Sequence, residues 1–430
     1  MQPLKCTHSE LQVEVSSHAE EAGFLRPPPA KRQAAATPSG RVNKISAGNP
    51  DDETTLPFTF PGPLVLPDDA LAVDPKEPPQ SLRSFIQERQ RNALTPDRKT
   101  IYLTAPPTIS DQLAVMKGWA VSSSVQPPSI HEIQEYLAAF YHPLRVQLLA
   151  TTVAFVPWET PVPSTPALVG LQIGETDVTG IRTRRCPDKA FPRQLNLNDI
   201  LDAAIEALPR DAYALCMITN HDLYEDEDDD FCCGRAYGGS RVSVVSMARY
   251  RPQYDEGLDH AHMWPASHCK SYVTGACGEK GAKRKKPRVE PSSESIDVEE
   301  TPIGAAVKAA LAAPGATWNL RGLWVSRVVR TVAHELGHCF CLAHCSYYAC
   351  VMQSTTSVAE DVRQPPYLCP VCLAKVTRAL GDANPRTREK DLTIARYEAL
   401  ARACDNWPDV AMFAGFQAWI IKRLSQLRES

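Results

Sequence analysis

His334, Glu335 and His338 are the residues of this chain best spaced to do chemistry. On a helix, positions four apart lie on one face, one turn from each other. Both imidazoles can then reach a single Zn²⁺, and the intervening glutamate is placed to act as general base on a water that the metal activates. His344 follows six positions after His338 and can supply a third nitrogen ligand. Three histidines leave the fourth tetrahedral position open, which marks a catalytic rather than a structural zinc. The chemistry indicated is hydrolysis, with the peptide bond as the first candidate substrate.

A second set of ligand-type residues follows directly. Cys345, Cys350, Cys369 and Cys372 form a C-x4-C pair and a C-P-V-C pair, a pattern that suits four thiolates around a closed, structural zinc. The combination of His-Glu-x-x-His, the distal His344-Cys345, Cys350-x-Met352 and Cys369-x-x-Cys372 resembles the archaemetzincins, a metzincin-type family of zinc metallopeptidases. A weaker likeness extends upstream through Tyr213–Thr219, Asp222–Tyr224 and Arg241–Arg249. The resemblance implies a zincin-like α/β (α+β) fold, with a mixed twisted sheet, an active-site helix, a zinc-bound cysteine segment and C-terminal helices. It implies two zinc ions per chain: a catalytic one on His334, His338 and His344, and a structural one on Cys345, Cys350, Cys369 and Cys372. It also places Met352 beneath the catalytic metal as packing support.

One position departs from the metzincin pattern. A glycine usually stands three residues after the second histidine, where the helix ends in a left-handed cap; here the residue is Cys341. A non-glycine residue at positive φ costs on the order of 1 kcal/mol, tolerable where metal ligation holds the turn. Cys339 and Cys341 are read as small, buried, apolar side chains, with a redox-sensitive or competing metal ligand as the other reading. Cys186 is weighed as an inhibitory thiol of the cysteine-switch kind and given little weight, because it lies inside the fold.

Composition narrows the remaining classes. A net charge of −4 over 430 residues suggests no general polyanion binding, so no nucleic-acid partner is expected. The first residues hold no apolar signal-peptide core and no stretch of about eighteen apolar residues appears, so neither export nor membrane insertion is expected. Of the 14 cysteines, six crowd between Cys339 and Cys372. With no export signal, that favours metal ligation in a reducing compartment, the cytoplasm or the nucleus. Lys283–Arg288 (Lys-Arg-Lys-Lys-Pro-Arg) reads either as a nuclear-import signal or as a solvated linker. The acidic run Asp222–Asp230 reads as a solvated loop, with calcium a remote alternative because the EF-hand glycine is missing.

The 37 prolines fall heavily in the first eighty residues, so residues 1–80 are expected as a disordered Pro-rich region. Residues 81–380 are expected as the catalytic domain, with 252–320 a surface insertion, and 381–430 as C-terminal helices. Within the domain, a short helix is expected at Ser81–Arg91, and Ile130–Tyr141 has helical apolar spacing with Ser129 as N-cap. Strands are expected at Ile101–Thr104, Val146–Phe155, Leu168–Ile173, Tyr213–Thr219 and Arg241–Ala248. The last is expected as the exposed or half-buried edge that would pair with an extended peptide or protein substrate. Helices are expected at Asp199–Leu208, over the His-Glu segment at Leu323–Leu342, and at Leu373–Leu380, Glu389–Ala403 and Val410–Leu427. No individual side chain is singled out for substrate binding. Two functions compete: a metallopeptidase with Glu335 as general base, and a zinc-stabilised interaction protein without catalysis. Glu335 separates them, because a buried carboxylate with no metal-water task would be costly.

Overall fold

A five-stranded sheet forms the centre of the fold, in the order Gly234–Tyr237, Val242–Ser246, Ala212–Thr219, Thr100–Leu103, Arg145–Leu148. The first pair is antiparallel and the other neighbours run parallel. The computed structural model describes residues 6, 8, 10–42, 56–120, 123–278, 297–315, 318–383 and 388–429. Ala212–Thr219 is buried at every position, as a parallel strand covered on both faces must be. Its side chains alternate between two cores. Ala214, Cys216 and Ile218 face the core built on the histidine helix, while Leu215 and Met217 face the core under a second sheet.

That second sheet has six strands, in the order Thr108–Ile109, Val153–Val156, Leu168–Ile173, Asp177–Arg184, Gln194–Asn196, Leu223–Tyr224. The amphipathic helix Leu197–Glu206 contributes Leu197, Ile200, Leu201 and Ala204 to the core between the sheets. On the other face of the central sheet lies the 20-residue helix Leu320–Cys339. Asn319 caps its start by accepting from Gly322 N at 2.7 Å. The helix is fixed on several sides: Trp324 Nε1 donates to Met247 O (2.9 Å), Arg327 pairs with Asp255, and Arg321 makes a two-pronged pair with Glu132. Glu132 belongs to the helix Ile130–Phe140, which carries a full capping box with Ser129. The C-terminal helices Glu389–Cys404 and Ala411–Glu429 complete the main core through Tyr397, Leu400, Phe413, Phe416 and Trp419.

The structure corrects four expectations. First, the Pro-rich region is folded over its described residues. Phe60 packs edge-on to Tyr367 and Trp419, Trp419 Nε1 donates to Thr59 O (2.9 Å), and Arg26 Nε donates to Tyr347 O (2.9 Å). Leu56, Phe60, Leu64, Val65 and Leu66 are all buried. Proline here fixes an extended path that buries apolar side chains without any helical or strand period. Second, 252–320 is not simply a surface insertion. The helix Pro302–Ala312 packs on the C-terminal helix and buries Ile303, Ala306, Val307 and Ala310; Lys283–Arg288 falls outside the described residues. Third, Val146–Phe155 is two strands, Arg145–Leu148 and Val153–Val156, in different sheets. Fourth, Val242–Ser246 is an internal strand, buried at every position, and the edge is Gly234–Tyr237.

The acidic run is also more than a solvated loop. Asp222 is fully buried and paired with Arg249 at 2.6 and 2.9 Å. Cys186 joins the same cluster, 3.2 Å from Arg249 Nη2 and 2.8 Å from Asp188. It does not line the cleft at the histidines. Burial, then the hydrogen bond with Asp188, pushes its thiol up to about 11, the opposite of an activated ligand thiol.

Candidate metal centre

The helix Leu320–Cys339 ends beneath a cleft of about 670 Å³. His334, His338 and His344 stand together in it, part-buried, with one ligand-type nitrogen of each within 4.8 Å of the others. The Nε2 atoms of His334 and His338 are 3.0 Å apart. Each ring is oriented through its other nitrogen. His334 Nδ1 lies 2.6 Å from Val351 O, His338 Nδ1 2.7 Å from Leu342 O, and His344 Nδ1 2.6 Å from a Glu77 carboxylate oxygen. A carbonyl or carboxylate oxygen only accepts, so Nδ1 carries the proton in all three and the Nε2 lone pairs face one another. Burial, then His344, pushes the His334 imidazole down to about 4; burial, then His334 and His344, holds His338 well below its usual range. Neutral imidazoles of this kind are what a metal takes as ligands, and the outer hydrogen bonds are those that orient such ligands.

The turn that delivers His344 explains Cys341. Cys341 N donates to His338 O (2.8 Å) and Leu342 N donates to Gly337 O (3.2 Å), the paired bonds of a Schellman cap. Cys341 accordingly has φ of 62°, in the left-handed region. Its side chain lines the cleft but is not among the converging ligand atoms, whereas Cys339 is wholly buried in the core. Cys341→Gly is expected to stabilise the chain by at most about 0.5–1 kcal/mol by relieving the Cβ clash while leaving zinc affinity unchanged. Urea unfolding and a competitive zinc titration check this. A drop in affinity would make the thiol part of the site.

Two contacts lie beyond what sequence spacing reveals. Glu77 accepts from both His344 Nδ1 and Ser354 Oγ (3.1 Å). Burial works to raise the Glu77 carboxyl, but the hydrogen bonds and charge interaction with His344 outweigh it and hold the group below its ordinary value. Gln80 clamps the same loop, donating to Cys341 O (3.0 Å) and accepting from Ala343 N (3.1 Å). Both belong to the Pro-rich stretch, and only their place in the fold identifies them. Glu77→Ala is expected to weaken zinc binding about 10–100-fold, the usual effect of losing an outer carboxylate, without changing the fold. Competition with a chelator measures it, and wild-type affinity would reject the orienting role.

Gly337, inside the motif, faces Met352. A Cβ there would overlap the methionine sulfur and stand 2.9 Å from its Cε, so glycine lets Met352 press against the helix below the histidines. Met352 is fully buried, and its carbonyl accepts from Cys345 N at 2.7 Å. Cys345, Cys350, Cys369 and Cys372 form a fully buried group with their sulfurs within 4.8 Å of one another. Cys345 and Cys369 sulfurs are 3.5 Å apart, and Cys369 N donates to Cys350 Sγ (3.3 Å). Hydrogen bonds from Cys350, Cys369 and Cys372 hold the Cys345 thiol well below its usual value, while burial drives Cys350 and Cys369 well above theirs. Four sulfurs with mainly each other as partners, beside the backbone of His344, suit a closed metal site.

Glu335 is buried and lines the cleft between the histidine helix and the edge strand. A Cβ at Gly234 would lie 3.1 Å from Glu335 Cγ, so glycine lets the strand pass close to the Glu335 side chain. Burial pushes Glu335 up to about 8, against a smaller lowering by Arg235. A divalent cation beside it acts in the lowering direction.

Comparison with known proteins bears on this arrangement. The profile of peptidase family M54 matches residues 310–378, the span from the helix Pro302–Ala312 to beyond Cys372. Archaemetzincin-2 of Pongo abelii is 25% identical over 391 residues, covering 86% of this chain and 87% of that protein. Archaemetzincin-2 of Homo sapiens is 25% identical over 390 residues, with the same shares. A solved archaemetzincin from Methanopyrus kandleri aligns at 17% identity over 66% of this chain and 97% of that one, with a TM-score of 0.33, too low to argue geometry from. The M54 profile falls on the segment that carries both candidate ligand sets, and the likeness to Archaemetzincin-2 runs through most of the chain, so this protein is similar to the archaemetzincins and carries the signature segment of the M54 metallopeptidases.

Proposed function

We propose that the chain hydrolyses peptide bonds with Glu335 as general base, using a labile zinc on His334, His338 and His344, while Cys345, Cys350, Cys369 and Cys372 hold a second, structural zinc. The observation that carries this is the convergence of three Nδ1-anchored imidazoles in an open cleft, with a buried carboxylate beside them. Zinc, when bound there, supplies a Lewis acid for the scissile carbonyl and acidifies the attacking water. Glu335 takes the proton from that water and returns it to the leaving amine. Because the Glu335 side chain runs past Gly234, the proton is handled near the edge strand.

The edge strand Gly234–Tyr237 takes over the substrate-pairing role expected of Arg241–Ala248. It pairs with Val242–Ser246 on one side only, and Gly234, Arg235 and Ala236 line the cleft. An extended peptide can add to it as a further strand and lie across Glu335 and the three histidines.

The test combines zinc analysis with a peptide library. The zinc-loaded chain is expected to cleave peptides, to lose activity when a chelator takes the histidine-bound ion, and to regain it on adding Zn²⁺. The tetracysteine ion should resist the same chelator because that site has no open position. Absence of cleavage by a chain holding both ions would favour the interaction-protein reading.

A further inference from the structure

A third group of ligand-type atoms lies outside both sites. We propose that Cys6, His8, His262 and Cys269 bind a zinc ion of their own, a closed Cys2His2 site that clasps the N-terminal segment to the body of the protein. One ligand-type atom from each residue lies within 4.8 Å of all the others. A tetrahedral zinc with bonds of about 2.0–2.3 Å needs its ligand atoms roughly 3.3–3.8 Å apart, so the cluster has the span of a bound site once the Cys6 and Cys269 sulfurs, which lie at bonding distance, part to make room for the ion.

The surroundings are those of a ligand shell. His262 Nδ1 is 2.7 Å from Asp259 Oδ2, which fixes the proton on Nδ1. The remaining nitrogen, Nε2, is buried with no hydrogen-bond partner. A buried imidazole nitrogen left this way is costly unless something accepts its lone pair, and a metal at the cluster would. Tyr272 stacks on the same ring at 4.1 Å and locks its plane. His8 lies 3.7 Å through Nδ1 from Cys6 Sγ, and its backbone is held at φ of 52°. Ser271 Oγ stands 3.1 Å from Cys6 Sγ and 3.2 Å from Cys269 Sγ, placed to donate to a thiolate.

A disulfide between Cys6 and Cys269 is the competing reading, since the structure places the two sulfurs at bonding distance. Their Cα atoms are 7.5 Å apart, beyond the span a disulfide bridges without backbone movement. A disulfide would also leave His8 and His262 without a role. Zinc uses all four residues, and it needs the thiols reduced.

The clasp has a structural purpose. Glu10 O accepts from Lys270 N (3.0 Å) and Gln12 N donates to His268 O (2.7 Å), so the N-terminal segment already makes one antiparallel bridge with 268–270. The metal would close the open end of that pairing. The same N-terminal region runs on to Glu77 and Gln80, which hold the His344 loop.

The experiment uses the full chain kept reduced with a phosphine, treated with iodoacetamide, and read cysteine by cysteine by peptide mass spectrometry alongside elemental analysis. Cys6 and Cys269 are expected to resist alkylation in wild type and to become reactive when a strong chelator is added; protection should return with Zn²⁺. His8→Asn and His262→Asn remove a nitrogen ligand without touching a thiol. Each is expected to expose both cysteines and to lower zinc content by one ion while Cys345, Cys350, Cys369 and Cys372 stay protected. Equal labelling of Cys6 and Cys269 in wild type and variants at unchanged zinc content overturns the proposal, as does ready alkylation of both in reduced wild type that carries no third ion. If either variant is insoluble, the chelation and zinc-return arm on wild type decides alone. Reading each cysteine separately keeps this result independent of the other two sites.

Discussion

Glu335→Gln is expected to lower peptide hydrolysis by about 10²–10⁴-fold, the range general acid–base catalysis supplies, while zinc content and thermal stability stay at wild-type values. Glutamine has nearly the same shape, so its packing against Gly234 is kept. It cannot accept a proton at neutral pH. Glu335 is not among the atoms that converge on the histidine site, so removing its charge leaves every candidate ligand in place. Glutamine also carries no charge to desolvate at a position where burial pushes the carboxyl up to about 8, so the folded state should lose nothing by it. Steady-state turnover on a peptide the wild type cleaves, with zinc measured on the same sample, gives the answer. Near wild-type turnover at full zinc occupancy would show that another group handles the proton. Loss of zinc together with activity would show that Glu335 acts through the metal site's integrity.

The parts of this centre legible in the sequence are those whose geometry is encoded locally. His334 and His338 share a helix face because of their spacing alone. His344, Cys345, Cys350 and Met352 follow within one short segment, so their mutual placement needs few long-range contacts. Cys341 at positive φ is likewise a local matter, set by the cap that must turn the chain. Glu77 and Gln80 were not legible because 267 and 261 residues separate them from the atoms they hold. They also sit among prolines, whose composition suggests disorder and says nothing of buried apolar side chains.

The strands show the same division. Ala212–Thr219 is apolar throughout and is buried on both faces. The edge strand Gly-Arg-Ala-Tyr has no β-branched residue, so propensity gives no signal for it. Its glycine fits the close approach to Glu335 and to Val244 and Val245, which strand propensity does not ask for. The valine-rich neighbour gives the stronger strand signal and is internal. What a site demands of a position can run against what the local structure prefers, and there sequence pattern misleads.

Cys372→Ser should have the largest effect on folding. The four cysteines are wholly buried and tie the segment after the histidine helix to the start of the helix Pro370–Ala383. Zinc on a site of this kind contributes about 10–16 kcal/mol of apparent binding free energy in small zinc-dependent folds, comparable with the whole stability of a typical domain, about 5–15 kcal/mol. A serine in place of one thiolate keeps three ligands, so part of that energy survives. A loss of about 4–5 kcal/mol still corresponds to a fall in Tm of roughly 5 °C in a chain of this size, with low soluble yield the other expected outcome. The damage should also reach the labile ion, because His344 is bonded directly to Cys345 and shares its turn. His344→Asn makes the control. It should remove only the labile zinc and leave the tetracysteine ion and Tm close to wild type. Calorimetry and elemental analysis on the two variants separate the roles: a Cys372→Ser chain that keeps both ions and the wild-type Tm would mean that the four thiols are core residues and that His344 is positioned by Glu77 and Gln80 alone.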